Sequence, residues 1–559
     1  VQIVAPRGTI TDRNSHPLVE NRPSFNILLY REFLSDMAET ERFVTSRLGI
    51  DAEEFAARIR RARKDPLYRP IVIKEDVGIA EISTVEAHRS DHPEIQLGPQ
   101  PRRLYRHNRL AAHVLGYVGE VSEAELADST FPGVKPGDLV GKSGVERIYD
   151  RYLQGTDGTR QVIVDSLGRE LGVLGELEAV IGGELRLTLD LRLQESAERI
   201  LQDRVGAVVA LDPRNGEILA LASAPSFDPN RFSSRLSERD WNELLDNPDH
   251  PLQNRAIQNS YSPGSIFKLV MAVAGLEEGA LDDGTRVYCN GAAEYYNRTF
   301  HCWSKGHGFM DLENAIKNSC NIYFYELGRK IGIDKIALHG TMLGFGERTG
   351  IDLPGERAGI MPSPEWKLRA RGERWYAGET ISVSIGQGAV STTPLQLLRA
   401  VSAIAMQGRL VTPHVMLRAD RAAGDPRGWP GKALSLHAEK LRRIADGMWA
   451  SVNAGGTGGR ARVEGLDVCG KTGTVQVVSA GRTRENSEEP DPFLDHSWFV
   501  GFADRDDPQL AVAVFVEHGG KGGLSAAPLA REIFQAYLAT KTPQQPITQA
   551  IAAARSLRP

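Results

Sequence analysis

A serine followed three residues later by a lysine, at the mouth of an apolar stretch, is the first feature of this 559-residue sequence that could do chemistry. Tyr261-Ser262-Pro263-Gly264-Ser265-Ile266-Phe267-Lys268 opens residues 266–276, which are apolar almost all round and predict a buried helix. A lysine in its first turn is out of place there unless it is used. The spacing puts Ser265 and Lys268 on one helical face, and the helix start adds free N–H groups and a field that favours anions. A desolvated amine of lowered pKa beside a hydroxyl can take its proton, which turns the serine into a nucleophile. The pattern alone is weak, since ordinary Ser and Lys usage yields about one chance Ser-x-x-Lys in a chain of this length.

Two further elements supply the context. Ser319-Cys320-Asn321 and then Lys471-Thr472-Gly473-Thr474 follow downstream. Ser-x-x-Lys, Ser-x-Asn and Lys-Thr-Gly, in that order and with the last on an apolar strand, are the signature set of active-site serine enzymes that recognise penicillin. The strand context is present, with Asp467-Val468-Cys469-Gly470 before the triplet and Val475-Gln476-Val477-Val478 after it. Gly473 would let a substrate backbone lie close against the strand edge.

The cysteines form a second constellation. There are only four, and Cys289, Cys302 and Cys320 fall in one short window with His307, spaced Cys-x12-Cys-x4-His-x12-Cys. Three cysteines and a histidine make a complete tetrahedral set for zinc with no open position, so such a site would be structural. The alternatives are a Cys289–Cys302 disulfide, which an oxidising compartment favours, or buried thiols. His301, next to Cys302, is a spare ligand candidate.

The elements that must position these residues can be read coarsely. Residues 1–180 show short alternating strands, for example 24–29 and 160–164, interrupted by a charged helical stretch at 51–64, and hold no catalytic cluster. Residues 134–158 are rich in glycine and charge and read as a linker region. Arg102, Arg103, Arg106 and Arg109 form a basic run, better explained by solvation or internal ion pairs than by a phosphate site. Past residue 187 a helix at 193–203 leads into a hairpin, 207–211 and 218–222, and strands follow at 468–478, 497–503 and 510–517. The sum is an α+β chain, an antiparallel sheet flanked by helices behind a mostly β N-terminal part. The expected boundaries are 1–180 for a non-catalytic pedestal or dimerisation-type domain, 181–541 for the catalytic domain and 542–559 for a tail.

Composition narrows the function. With 41% hydrophobic and 25% charged residues the chain is of ordinary globular type. Its 67 basic against 72 acidic residues argue against a nucleic-acid binder, which needs net or clustered positive charge. The longest apolar runs, such as 269–276, fall short of the roughly 18–20 residues that cross a bilayer. The start at Val1, without Met or a signal pattern, suggests a chain that begins downstream of a leader or anchor.

On these motifs the sequence resembles the class B penicillin-binding proteins, D,D-transpeptidases of peptidoglycan synthesis, and within them the elongation type, penicillin-binding protein 2. Arg7-Gly8-Thr9-Ile10-Thr11-Asp12-Arg13-Asn14 is similar to the segment after the family's membrane anchor, and Gly141-Lys142-Ser143-Gly144-Val145-Glu146 to its pedestal motif. Trp375-Tyr376-Ala377-Gly378-Glu379-Thr380, Gly386-Gln387-Gly388 and Val516-Glu517-His518-Gly519-Gly520 resemble the elongation type rather than the division type.

The resemblance implies a penicillin-binding transpeptidase fold on a pedestal that is elongated and mostly β. It implies Ser265 as nucleophile on a D-Ala-D-Ala stem peptide, Lys268 as general base and Ser319 as proton relay. Asn321 would orient Lys268 and substrate, while Lys471, Thr472 and Thr474 would hold the terminal carboxylate. An oxyanion hole would come from the N–H groups of Ser265 and Thr474. No catalytic cofactor is implied, but Gly306-His307-Gly308 and the cysteine inside Ser-x-Asn are similar to a structural zinc site of the elongation type. Further implications are inhibition by β-lactams, a single-pass inner-membrane protein with its domains in the periplasm, and partners in a membrane SEDS-family glycosyltransferase and other elongation-complex proteins serving rod shape. A β-lactamase or β-lactam sensor, or mainly a scaffold for that glycosyltransferase, are the competing readings.

Overall fold

The hairpin expected near residues 207–222 seeds the main sheet in this computed structural model, which describes residues 2–541 except 65, 68, 128–130, 132, 165–169, 234–237, 420–428, 430 and 477–493. The expected tail and the end of the strand expected at 468–478 lie outside the described residues. Two units are present, one from residues 2–187 with the described residues of 228–243 and 418–419, the other from Thr188–Phe227, Leu244–Leu417 and the described residues from 429 on.

In the second unit α1 (Leu191–Ile200) precedes β1 (Gly206–Leu211) and β2 (Ile218–Ala224). A 3-10 turn, Gly264–Phe267, then runs straight into α2 (Lys268–Glu277), every residue of which is buried up to Leu276. A small module follows: β3 (Val287–Cys289) pairs with β6 (Gly308–Met310), and β4 (Ala292–Tyr295) with β5 (Arg298–His301). α3 (Leu312–Lys317) and α4 (Asn321–Met342, broken at Gly332) come next, then α5 (Ala377–Val383), α6 (Pro394–Ala405) and α7 (Ala438–Asn453). The chain returns to the sheet with β7 (Cys469–Val475), β8 (His496–Ala503) and β9 (Leu510–Val516), and closes with α8 (Ala526–Lys541).

The sheet is antiparallel throughout, in the order β2-β1-β9-β8-β7. β1 and β9 are buried along their whole length, which is why Gly206–Leu211 and Leu510–Val516 read as continuous apolar runs without alternation. One core joins Leu193, Ala197 and Ile200 of α1 with Val208, Val512, Val514 and Phe499 of the sheet and Ala530, Ile533 and Phe534 of α8. Among the described residues no helix is long and apolar enough to cross a membrane.

The first unit sets Leu185–Leu187, Ile10–Thr11, Pro17–Arg22 and Arg102–Tyr105 side by side, and Phe25–Leu29 between Ile71–Lys74 and Ile95–Pro99. The strand expected at 160–164 belongs to Gly158–Val164, paired with Glu170–Leu177. The charged stretch at 51–64 is helical, with Asp51 accepting from the N–H groups of Glu53 and Glu54 (2.9 and 3.0 Å) as its cap. Met37–Leu48 and Ile79–Ala87 add helices that the sequence reading left as strand and turn. Met37–Leu48 buries Thr40, Phe43, Val44 and Leu48, a helical stripe too sparse in strong apolar residues to stand out.

Residues 134–158 are not a linker. They carry buried Val140, Val145 and Leu153, and Glu146, which is fully buried and ion-paired to Arg7 (2.9 Å) and Arg103 (2.7 Å), while Asp150 takes Arg7 at 2.9 Å. Burial alone would raise the Glu146 carboxyl, but the two guanidinium groups outweigh it and hold it below the ordinary range. The basic run resolves into internal ion pairs: Arg102 with Asp76, Arg103 with Glu146 and Arg106 with Glu20. Glycine and charge here serve a packed ionic core instead of a solvated connection.

Candidate active site and cysteine module

Ser265 stands in the 3-10 turn and Lys268 begins α2, so both project from one end of the same buried element. Two glycines make that turn possible. Gly264 has φ +54°, and a Cβ there would lie 2.9 Å from the Thr474 carbonyl oxygen of β7. Gly386 has φ +72°; its carbonyl accepts the Gly264 N–H (3.0 Å), and a Cβ on it would meet Gly264 O at 2.1 Å. The Gly386-Gln387-Gly388 motif thus forms a backbone seat for the serine turn. Trp498 Nε1 donates to Ser262 O (3.2 Å), and Tyr261 OH donates to Glu517 Oε1 (2.7 Å), which also takes Arg255 Nε (2.9 Å). That network is where the 516–520 motif acts.

Lys268 is fully buried, and its amine is triply engaged: Nζ donates to Asn321 Oδ1 (2.7 Å), Ser319 O (2.8 Å) and Ser319 Oγ (3.2 Å). Burial pushes this amine down to about 8, against the opposing pull of Cys302 and Cys320. Lys471, equally buried, reaches the same hydroxyl from β7, donating to Ser319 Oγ at 2.8 Å and to Thr472 O at 3.0 Å. Burial, and then Lys268 itself, push Lys471 well below the ordinary lysine value. Two buried amines converge on one serine hydroxyl, so only one of them carries its charge at low cost.

The Ser-x-Asn motif is the junction between α3 and α4. Ser319 takes φ +54°, unusual for a residue with a side chain, and Cys320 is the residue before the first turn of α4. Asn321 donates one of its two amide hydrogens to His301 O (3.1 Å). On β7, Thr472 is buried with its hydroxyl donated to Thr457 Oγ1 (2.9 Å), whereas Thr474 is half-buried and its hydroxyl accepts from Gly522 N–H (3.2 Å). At Gly473 a Cβ would meet Trp498 Cβ at 3.0 Å and Ile266 Cγ1 and Pro263 O at 3.2 Å. A side chain here would make the serine turn and Trp498 give by a few tenths of an ångström, a packing reason for glycine beside the substrate access read in the sequence.

The cysteine module brings Cys289, Cys302, His307 and Cys320 together, with all four ligand atoms within 4.8 Å of one another. Cys289 Sγ and Cys302 Sγ each lie 3.5 Å from His307 Nδ1. A zinc tetrahedron, with Zn–S near 2.3 Å and Zn–N near 2.05 Å, sets sulfur and nitrogen about 3.5 Å apart, so the donor set fits that ion. A hydrogen bond from the Cys320 thiol, with backbone N–H groups of Ser304 and Asn321, holds Cys302 down to about 4 despite its burial; the same bond and burial push Cys320 up. Thiolate is the ligating form. All four cysteines of the chain are free, without the Cys289–Cys302 disulfide. His301 contributes its carbonyl to Asn321, and its ring is not in the cluster.

Sequence reasoning missed several contributors. Trp303 Nε1 donates to Asn318 O (3.0 Å) and Ser319 O (3.2 Å), and Thr457 and Arg255 hold neighbours of the site in place. A tryptophan between two ligand candidates was the one local signal. The others come from distant loops that only the fold brings close.

Comparison with known proteins agrees with this geometry. A model of the penicillin-binding protein transpeptidase domain matches residues 206–535, and one of the penicillin-binding protein dimerisation domain matches 2–187. Peptidoglycan D,D-transpeptidase MrdA of Acinetobacter baumannii is 39% identical over 550 residues, 96% of this chain and 80% of that protein. Among solved structures, penicillin-binding protein 2 of Helicobacter pylori in complex with MreC superposes with TM-score 0.84 at 30% identity, covering 96% of this chain and 98% of that one. A structure titled for the coordination of polymerization and crosslinking by a peptidoglycan synthase complex gives TM-score 0.75 at 32% identity, covering 98% and 92%. With both domains matched and the serine, lysine and asparagine motifs converging, this chain belongs to the class B penicillin-binding proteins, as an elongation-type peptidoglycan D,D-transpeptidase of the penicillin-binding protein 2 kind.

Proposed function

We propose that Ser265 carries the acyl group in this transpeptidase and that Lys268, Ser319, Asn321 and Lys471 handle the proton and the donor. The observation that carries the assignment is the convergence of two buried lysines on Ser319 Oγ, at 3.2 and 2.8 Å, beside the serine turn. Neutral Lys268, its two hydrogens on Asn321 Oδ1 and Ser319 O and its lone pair left open, takes the Ser265 proton as Oγ bonds to the carbonyl carbon of the penultimate D-Ala. The C–N bond to the terminal D-Ala breaks, and its amine receives the proton from Lys268 through Ser319 Oγ. An acceptor amine from a second stem peptide then attacks the ester, its proton returns by the same relay, and Ser265 is regenerated.

Lys471 meets the terminal carboxylate. An incoming anion restores the charge that burial and Lys268 suppress, so binding and protonation are coupled. Thr474, the more accessible of the two threonines, shares that carboxylate, with Thr472 behind it; Gly473 keeps the serine turn seated on the strand. Backbone N–H groups of Ser265 and Thr474 serve the oxyanion. β-Lactams enter as mimics of D-Ala-D-Ala. Cys289, Cys302, His307 and Cys320 would hold one zinc ion, which when bound supplies folding free energy and no chemistry on substrate.

The substrate polymer lies outside the cytoplasmic membrane, which supports placing the two units in the periplasm on an inner-membrane anchor. The MreC complex of the H. pylori relative and the synthase complex support an MreC-like scaffold and a SEDS-family glycosyltransferase as partners here.

A stable acyl-enzyme distinguishes this reading from a β-lactamase. Among the described residues the hydrogen-bond partners of Lys268 and Lys471 include no carboxylate, which supports slow attack by water on the acyl-enzyme. The penicillin adduct should persist for minutes or longer in a mass time course. Turnover at the ordinary enzymatic rate of about one per second or faster would contradict the assignment.

A further inference from the structure

Residues 301–303 touch the Ser-x-Asn turn at three consecutive positions. Asn321 Nδ2 donates to His301 O (3.1 Å), the Asn321 N–H points at Cys302 Sγ (3.4 Å), and Trp303 Nε1 donates to both Asn318 O (3.0 Å) and Ser319 O (3.2 Å). Metal chemistry accounts for Cys302, and the carbonyl of residue 301 needs no particular side chain. Trp303 is different. It is 63% exposed, so hydrophobic burial does not explain a tryptophan here.

What its indole does is bind a strained turn. Ser319 sits at φ +54°, a conformation that a residue with a side chain keeps only where its surroundings over-determine it. Its carbonyl oxygen has two lone pairs and two donors, Lys268 Nζ at 2.8 Å and Trp303 Nε1 at 3.2 Å. Rotation of the Ser319 peptide would break both bonds and release Lys268 Nζ from the carbonyl that holds it beside Ser319 Oγ. Trp303 thus holds from the solvent side the same peptide that Lys268 holds from the core.

We propose that Trp303 is a positioning residue for acylation, its indole N–H locking the Ser319 peptide so that Ser319 Oγ stays between Lys268 and Lys471. This rests on the roles given above to Ser319 and Lys268. The effect is on the reacting geometry, so it belongs to the acylation step and leaves non-covalent capture of the donor alone.

The test replaces Trp303 with β-(3-benzothienyl)alanine, which keeps the shape of the indole but has sulfur in place of the N–H, and separately makes Trp303→Phe. Rapid-mixing acylation of the full chain by a labelled penicillin gives the acylation rate constant and the pre-covalent dissociation constant separately. Loss of one hydrogen bond should slow acylation three- to tenfold in both variants, with the dissociation constant within twofold. Melting temperature and zinc per chain should stay at the unsubstituted values. A benzothienyl variant that acylates within twofold of the unsubstituted protein, or slows only in proportion to lost zinc or lowered melting temperature, overturns this inference alone. An unsubstituted protein that is not acylated overturns the catalytic assignment and this inference with it.

Discussion

Lys268→Ala should slow acylation of Ser265 by penicillin by about 10²–10⁴, the usual worth of a positioned general base. The amine is buried, lowered in pKa and held by Ser319 and Asn321 three residues from Ser265, which suits it to take the proton. Lys268→Arg should fail as well, because a guanidinium does not give up its proton at working pH. The unsubstituted enzyme carries a matching pH signature. With Lys268 pushed down to about 8 by burial, the neutral base gains tenfold per pH unit below that value and saturates above it. Acylation should therefore rise with pH through about 8 and level off. A second-order rate constant for Lys268→Ala within tenfold of the unsubstituted value would remove the proposed base.

Cys302→Ala should lower stability and acylation together. Zinc held at about a hundredfold over its dissociation constant contributes about 2.7 kcal/mol to the folded state. Its loss should drop the melting temperature by several degrees, on the order of 2–4 °C per kcal/mol or somewhat less in a unit of this size. Rate follows because the cluster is joined to the catalytic junction: Cys320 lies between Ser319 and Asn321, and Cys302 Sγ faces the Asn321 N–H at 3.4 Å. Acylation should fall by about tenfold or more as that junction loosens. His301→Ala, whose ring lies outside the cluster, should keep its metal. Elemental analysis near zero for the unsubstituted protein, or a peptide map joining Cys289 to Cys302, would defeat the zinc assignment.

The chemistry was more legible in the sequence than the architecture around it. Ser265, Lys268, Ser319, Asn321 and Lys471 stand out in the sequence because each motif sets particular functional groups at a short, fixed spacing, and the structure brings Lys268, Ser319, Asn321 and Lys471 into contacts of 3.2 Å or less. The cysteine set was legible for the same reason, through ligand type and number. Strands at 206–211, 218–224 and 510–516 were legible because burial on both faces leaves an unbroken apolar run.

What escaped depends on packing at long range. Glycine and charge at 134–158 suggest a linker region, yet Glu146 meets Arg7 and Arg103 in a fully buried ion network that no local pattern encodes. Substrate access is one reason for glycine at 473, and the close approach of Ile266 and Trp498 adds a packing reason that no local pattern shows. Trp303 reaches Ser319 only because the module of β3 to β6 folds back over the junction of α3 and α4.

One measurement bears on the central claim most directly: intact mass of the full chain after incubation with a labelled penicillin, followed by peptide mapping, on the unsubstituted protein and on Ser265→Ala. The account predicts one covalent equivalent, mapped to the peptide that carries Ser265, and no adduct on a Ser265→Ala protein of unchanged melting temperature. An adduct that persists in Ser265→Ala, or maps to another residue, would contradict it.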